Sequence, residues 1–124
     1  MVAVQKGIVD EHTALAALIT AVRRNHAAGA TWEALARELD ALVETVRAHF
    51  ESEEQQMEKA GYPMLVEHRK NHETFMRRLL ILRAECDRQE TELMAVFMDL
   101  LDNWFKNHER TADGLLLEYL EKQR

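Results

Sequence analysis

Five of the six histidines in this chain lie on the apolar stripes or at the ends of segments with a helical period, together with two acidic residues. A histidine among core leucines must either find a hydrogen-bond partner or bind a ligand, and seven polar groups rarely occupy such positions together by chance. We therefore interpret the seven as ligands of a two-metal site in a helical bundle. They are His12, His49, Glu53, His68, His72, His108 and Asp113.

Four long segments carry the helical period, and turn-forming residues separate them. We predict a first helix over about residues 9–25 and a second helix capped by Thr31. Pro63 suits the first turn of a third helix, and Asp87 with Glu90 resembles a capping box for a fourth. No segment alternates as a strand does. With short connections, the predicted fold is all-α, an antiparallel up-down-up-down four-helix bundle.

The predicted connectivity also predicts where in the bundle the candidate ligands meet. Neighbouring antiparallel helices place the start of one beside the end of the next, so all seven residues should lie at one end of the bundle. Side chains four residues apart share a helical face, which makes His49 with Glu53, and His68 with His72, chelating pairs.

The spacing of His108 and Asp113 does not fit a regular helix. Residues five apart differ by about 140° in direction, so a π-type widening or a helix break near Thr111 is expected to turn Asp113 inward. The predicted buried stripe of this fourth helix is Leu93, Phe97, Leu100, Trp104 and His108.

The type of ligand narrows the choice of metal. Imidazoles with carboxylates and no thiolate suit iron, manganese or zinc, and seven ligands are too many for one tetrahedral structural zinc. If both carboxylates bridge two octahedral ions and a hydroxide completes the bridge, one coordination position stays open. Such a position suits a small molecule such as O2.

The chain resembles the bacterial hemerythrins. Besides the seven candidate ligands, the resemblance rests on Ile8-Val9-Asp10-Glu11-His12 with Leu15, His49-Phe50, Glu53-Glu54 with Met57, Gly61-Tyr62-Pro63 before His68, and Trp104 four residues before His108. These motifs span nearly the whole chain, and they imply a single domain over residues 1–124.

The resemblance also implies two irons and an O2 ligand that binds at the iron with fewer histidines. The implied assignment is His68, His72 and His108 at one iron, His12 and His49 at the other, and Glu53 and Asp113 as bridges. Trp104 and Phe105 are expected to line the O2 pocket. Phe105 and Glu109 stand where the family often has leucine and isoleucine, and an aromatic-bearing arm before the first histidine is missing, so the pocket and its access to solvent are expected to differ.

The resemblance implies reversible O2 binding, for storage, delivery or sensing, rather than catalysis. The alternative is a di-iron enzyme that reduces peroxide or nitric oxide, or a protein that detoxifies iron and O2. The Glu-x-x-His pairs of ferritin-like proteins, the His-Glu-x-x-His of metalloproteases and the Cys-x-x-Cys-His of covalently bound haem are missing from the sequence. Motifs alone leave a b-type haem bundle open.

Composition excludes other classes. Sixteen Lys and Arg against 22 Asp and Glu give a net charge of -6 with no basic cluster, so nucleic acid is not an expected partner. The longest apolar runs are far below the roughly 20 residues that span a bilayer. Cys86 has no second cysteine for an internal disulfide. We expect a cytoplasmic protein, a monomer or weak homo-oligomer.

Overall fold

The fold consists of helices. A computed structural model describes residues 3–108 and 113–122, with side chains from residue 10 onward. Within these ranges there is no β-strand, which confirms the predicted all-α class, and no helix is both long and apolar enough to cross a membrane. The elements are α1 (Ala3–Ala27), α2 (Trp32–Ala60), α3 (Leu65–Glu85), a short 3-10 helix (Cys86–Arg88), α4 (Thr91–His108) and α5 (Gly114–Lys122).

The four long helices form the predicted antiparallel bundle. Helices α1 and α3 each pack against α2 and α4. The Nδ2 of Asn25 donates to Glu38 Oε1 over 2.7 Å and joins the end of α1 to the start of α2. The Nε of Arg69 donates to Glu54 Oε1 over 2.9 Å and joins the start of α3 to the end of α2. The alternation of direction that the sequence predicted is therefore confirmed.

A fifth helix, α5, was not predicted from the sequence. It packs Leu116 against Met57 and Tyr62 in a small apolar cluster beside the end of α2. The hydroxyl of Tyr119 donates to the backbone oxygen of Ala60 over 3.1 Å. These contacts anchor α5 on the turn between α2 and α3, and they hold the residue that precedes α5 at that end of the bundle.

The two ends of α2 follow local rules. The hydroxyl of Thr31 accepts a hydrogen bond of 3.2 Å from the backbone N–H of Ala34, which confirms the predicted cap. Gly61 ends the helix with φ at +65°, a conformation that side chains other than glycine disfavour. The next N–H, that of Tyr62, donates to Met57 O over 2.9 Å, as in a Schellman motif.

Three predicted helix starts were wrong. Helix α1 begins at Ala3, six residues before the predicted start. Helix α3 begins at Leu65, because the turn after α2 takes up the intervening residues, and Pro63 lies in that turn. Asp87 does not cap α4. It lies in the 3-10 helix that extends α3, where it accepts a hydrogen bond of 2.9 Å from Arg83 Nη1, and α4 begins only at Thr91.

The predicted buried face of α4 was partly wrong. Phe97 and His108 are buried as expected, but the three other predicted positions, Leu93, Leu100 and Trp104, are only half-buried. The residue that follows each of these three is buried instead: Met94, Leu101 and Phe105. Each of these apolar pairs is adjacent in sequence and about 100° apart on the helix, so the packing of α4 in the bundle decides which member faces inward.

Candidate metal centre

The seven candidate ligands are all buried and lie at one end of the bundle, each with 5% or less of its surface exposed. They come from the first halves of α1 and α3, the second halves of α2 and α4, and the residue before α5. The structure brings them into two overlapping groups, and the possible ligand atoms of each group lie within 4.8 Å of one another. One group is Glu53, His68, His72, His108 and Asp113, and the other is His12, His49, Glu53 and Asp113.

Glu53 directs one carboxylate oxygen towards each group. Its Oε1 contacts Nε2 of His68 and lies 3.5 Å from Nε2 of His72. Its Oε2 lies 3.2 Å from Nε2 of His49, one helical turn away on α2. The regular spacing of α2 therefore places this carboxylate between the two sets of histidines.

Asp113 repeats this arrangement from the opposite side. Its Oδ1 lies 2.9 Å from Nε2 of His108, and its Oδ2 lies 2.7 Å from Nε2 of His12. Helix α4 ends at His108, and Asp113 has the wider π-helical conformation directly before α5. The widening predicted for this segment is thus present at Asp113 itself, whereas Thr111 lies outside the described residues.

The imidazole nitrogens have the separation expected of neighbouring metal ligands. Nε2 of His108 lies 3.1 Å from Nε2 of both His68 and His72. In the other group, the Nε2 atoms of His12 and His49 are also 3.1 Å apart. Two nitrogens held at right angles about 2.1 Å from a cation would be about 3.0 Å apart, against about 3.4 Å for tetrahedral ligands. The nitrogens of each pair are therefore close enough to share one cation.

The buried carboxylates are the second sign of a cation site. Both oxygens of Glu53 and of Asp113 are inaccessible to solvent, and none makes a hydrogen bond of good geometry within residues 3–108 and 113–122. Such groups are costly to bury without a partner. All four oxygens point at histidine nitrogens, so a cation between them would satisfy both. The residues present therefore fit a pair of metal ions.

The carboxylates and imidazoles of the site shift one another's pKa values. Burial alone would raise the pKa of Glu53 and of Asp113, but the surrounding imidazoles hold both pKa values below their usual range. Burial lowers the pKa of a histidine, yet the two carboxylates outweigh it, raising the pKa of His68 to about 9 and also raising those of His49 and His108. Metal binding must displace these protons.

Two carboxylates that are not among the seven candidate ligands contact the outer nitrogens of ligand histidines. The outer nitrogen is Nδ1, since Nε2 faces the centre. Nδ1 of His49 donates to Glu11 over 2.5 Å, and Nδ1 of His72 donates to Glu54 over 2.9 Å. The sequence does not by itself choose between helix carbonyls and nearby acids as partners for these nitrogens. The only signal was that each acid stands next to a candidate ligand in the sequence.

The two aromatic residues predicted to line the O2 pocket lie beside different groups. The ring of Phe105 is 5.9 Å from that of His12 and 5.6 Å from that of His49. Trp104 instead stacks on His108, with ring centres 4.3 Å apart and planes inclined by 16°. Phe105 therefore adjoins the group with two histidines, and Trp104 adjoins the group with three.

Phe50 is a site neighbour that sequence reasoning did not assign. Its ring is nearly parallel to that of His72 at 3.8 Å, and it also contacts the rings of His49 and Phe105. Its position directly after His49 was the only available signal, because residues next to a ligand lie about 100° round the helix, on the flank of the site.

The remaining histidine and the cysteine lie outside both groups. Neither His26 nor Cys86 belongs to a group of potential metal ligands among the described residues. Cys86 is buried in the main core, its Sγ is 3.7 Å from the backbone oxygen of Leu93, and burial raises the pKa of its thiol.

Comparison with known proteins agrees with this centre. A family model described as the hemerythrin HHE cation binding domain matches residues 4–120. The chain belongs to the hemerythrin family. The resemblance drawn from the sequence motifs is thereby confirmed, and the buried cluster occupies a domain whose description is cation binding.

The relatives of this hemerythrin-family chain are distant in sequence. It is 27% identical over 106 residues to the bacteriohemerythrin of Methylococcus capsulatus, which covers 86% of this chain and 80% of that protein. It is 33% identical over 75 residues to the bacteriohemerythrin of Stenotrophomonas maltophilia. The aligned residues are 60% of this chain and 48% of that protein, so the chain matches about half of that relative's length. The myohemerythrin of Sipunculus nudus is 32% identical over 78 residues, 63% of this chain and 59% of that protein. No solved structure gave a significant match.

Proposed function

We propose that this hemerythrin-family chain binds O2 reversibly at a non-haem pair of iron ions and acts as an oxygen store, carrier or sensor. The observation that carries the proposal is the placement of Glu53 and Asp113, each with one oxygen towards the three-histidine group and the other towards the two-histidine group. Two carboxylates that face two nitrogen sets in this way suit a bridged pair of cations.

The donor atoms support iron as the metal. All are imidazole nitrogens or carboxylate oxygens, and no thiolate belongs to either group within the described residues. We assign His68, His72 and His108 to one ion and His12 and His49 to the other. With both carboxylates shared, the first ion has five protein donors and the second has four. The two-histidine group, with one protein donor fewer, would therefore leave room for an exogenous ligand at its ion.

The protein around that position keeps water out. His12 and His49 are 5% and 4% exposed, and Phe105, itself 6% exposed, packs against both rings. A ferrous pair, when bound, would supply the two electrons that O2 binding requires. The chain supplies donors that hold the pair and a wall that slows the entry of water and protons. We assign that wall to Phe105, while Trp104 holds the ring of His108.

The test is a cycle of absorbance spectra on the iron-loaded chain. We expect the anaerobically reduced protein to develop a visible charge-transfer band on addition of O2 and to lose it when O2 is removed. His49→Gln should abolish the cycle, and His26→Gln, a matched change outside the site, should leave it intact. Prompt and irreversible oxidation without a reversible band would contradict the proposal. Sustained turnover of peroxide or nitric oxide with a reductant would favour the enzymatic alternative.

A further inference from the structure

Glu11 and Glu54 each connect a ligand histidine to a second helix. One oxygen of Glu11 accepts from His49 Nδ1 over 2.5 Å, and the other accepts from Ser52 Oγ over 3.1 Å. Glu11 comes from α1, whereas both of its partners come from α2. The carboxylate is thus held at two points on the neighbouring helix.

Glu54 makes the equivalent contacts one helix further along the chain. One of its oxygens accepts from His72 Nδ1 over 2.9 Å, and the other accepts from Arg69 Nε, also over 2.9 Å. Both partners lie on α3. The side chains of the two acids are 38% and 21% exposed, so each charge stays in contact with water while its histidine, at 2% to 3%, is buried.

A carboxylate on the outer nitrogen determines what the inner nitrogen can do. When Nδ1 carries the proton that it donates, Nε2 is left with a lone pair that faces the centre, and the ring cannot rotate without breaking the bond. His49 belongs to the two-histidine group and His72 to the three-histidine group. Among the residues that the structure describes, each group has one carboxylate of this kind, and the two carboxylates share no histidine.

We propose that Glu11 and Glu54 are positioning residues that support the two metal positions separately, Glu11 the two-histidine position and Glu54 the three-histidine position. The proposal rests on the function proposed above. The two supports are unequal in effect. Loss of Glu11 disturbs one of only two histidines at its position, whereas loss of Glu54 leaves His68 and His108 to hold the other ion.

The experiment follows iron release from the loaded full-length chain into a ferrous chelator that forms a coloured complex. We expect wild type to release two irons per chain slowly. Glu11→Ala should release one iron about 10- to 100-fold faster, the usual effect of removing such a partner, and the second at nearly the wild-type rate. Glu54→Ala should accelerate release less. Glu51→Ala, the same change at an exposed position of α2, is the matched control.

Glu11→Gln separates positioning from a general structural effect. Its amide oxygen can still accept from Nδ1, so its release rate should lie between those of wild type and Glu11→Ala. The metal-free variants should still unfold in one cooperative transition, since the acids are at the rim. Release of both irons together from Glu11→Ala, or a rate equal to that of Glu51→Ala, would overturn the proposal. Fewer than two irons in wild type would instead overturn the di-iron function.

Discussion

The stability of the metal-free chain should depend on pH in a direction set by the buried site. The carboxylates raise the pKa of His68 from its ordinary 6.5 to about 9, so the folded chain holds that proton more tightly than the unfolded chain does. At about 1.4 kcal/mol per tenfold change in proton affinity, this is worth roughly 3 kcal/mol. The stabilisation is fully present below pH 6.5 and is lost as the pH rises through about 9. The raised pKa values of His49 and His108 act in the same direction.

The assay is urea unfolding of the metal-free chain between pH 6 and 9.5. We expect the free energy of unfolding to fall by roughly 3 kcal/mol or more over this range. His68→Gln should remove about that much of the fall, whereas His26→Gln should leave it unchanged. The iron-loaded protein should not show the fall, because the metal has replaced the protons. A free energy of unfolding that stays constant or rises with pH in the metal-free chain would refute the electrostatic reasoning.

Three further predictions concern the metal, the pocket and the scaffold. Metal uptake at pH 7 should release protons from the site's histidines, so iron affinity should rise with pH up to about 9; a pH indicator in weakly buffered protein would measure the release, and an affinity independent of pH would contradict it. Phe105→Ala should destabilise the fold by about 3 to 5 kcal/mol in urea unfolding. It should also speed oxidation of the oxygenated protein, since water gains access to the two-histidine group, and both effects should be smaller in Phe105→Leu. Thr31→Ala should cost about 1 kcal/mol through loss of the α2 cap while leaving the spectra unchanged.

The sequence was sufficient to predict the four long helices and the end of the bundle where the ligands meet. A helical period is local information, so the stripe that contains His49 and Glu53 was readable without knowing what it packs against. The same holds for His68 and His72 on α3. Because short connections force neighbouring helices to run antiparallel, these positions had to converge. The assignment of metals to these residues remains a proposal.

The tertiary structure decided which face of α4 is buried, where α5 packs and which side chains meet the outer nitrogens of the ligand histidines. Leu100 and Leu101, like Trp104 and Phe105, are adjacent apolar residues, and only the rotation of α4 within the bundle buries the second of each pair. Helix α5 covers nine residues, too few for its period to stand out, yet its packing holds Asp113 in place.

The partners of the outer histidine nitrogens were also decided by how the helices pack. Any nearby acid or carbonyl could have met His49 Nδ1, and the choice of Glu11 depends on how closely α1 approaches α2. Helical period and ligand spacing are properties of the chain taken a few residues at a time, so the sequence contains them. Which side chains meet across two helices depends on the distance and rotation between those helices, and only the packed bundle sets these.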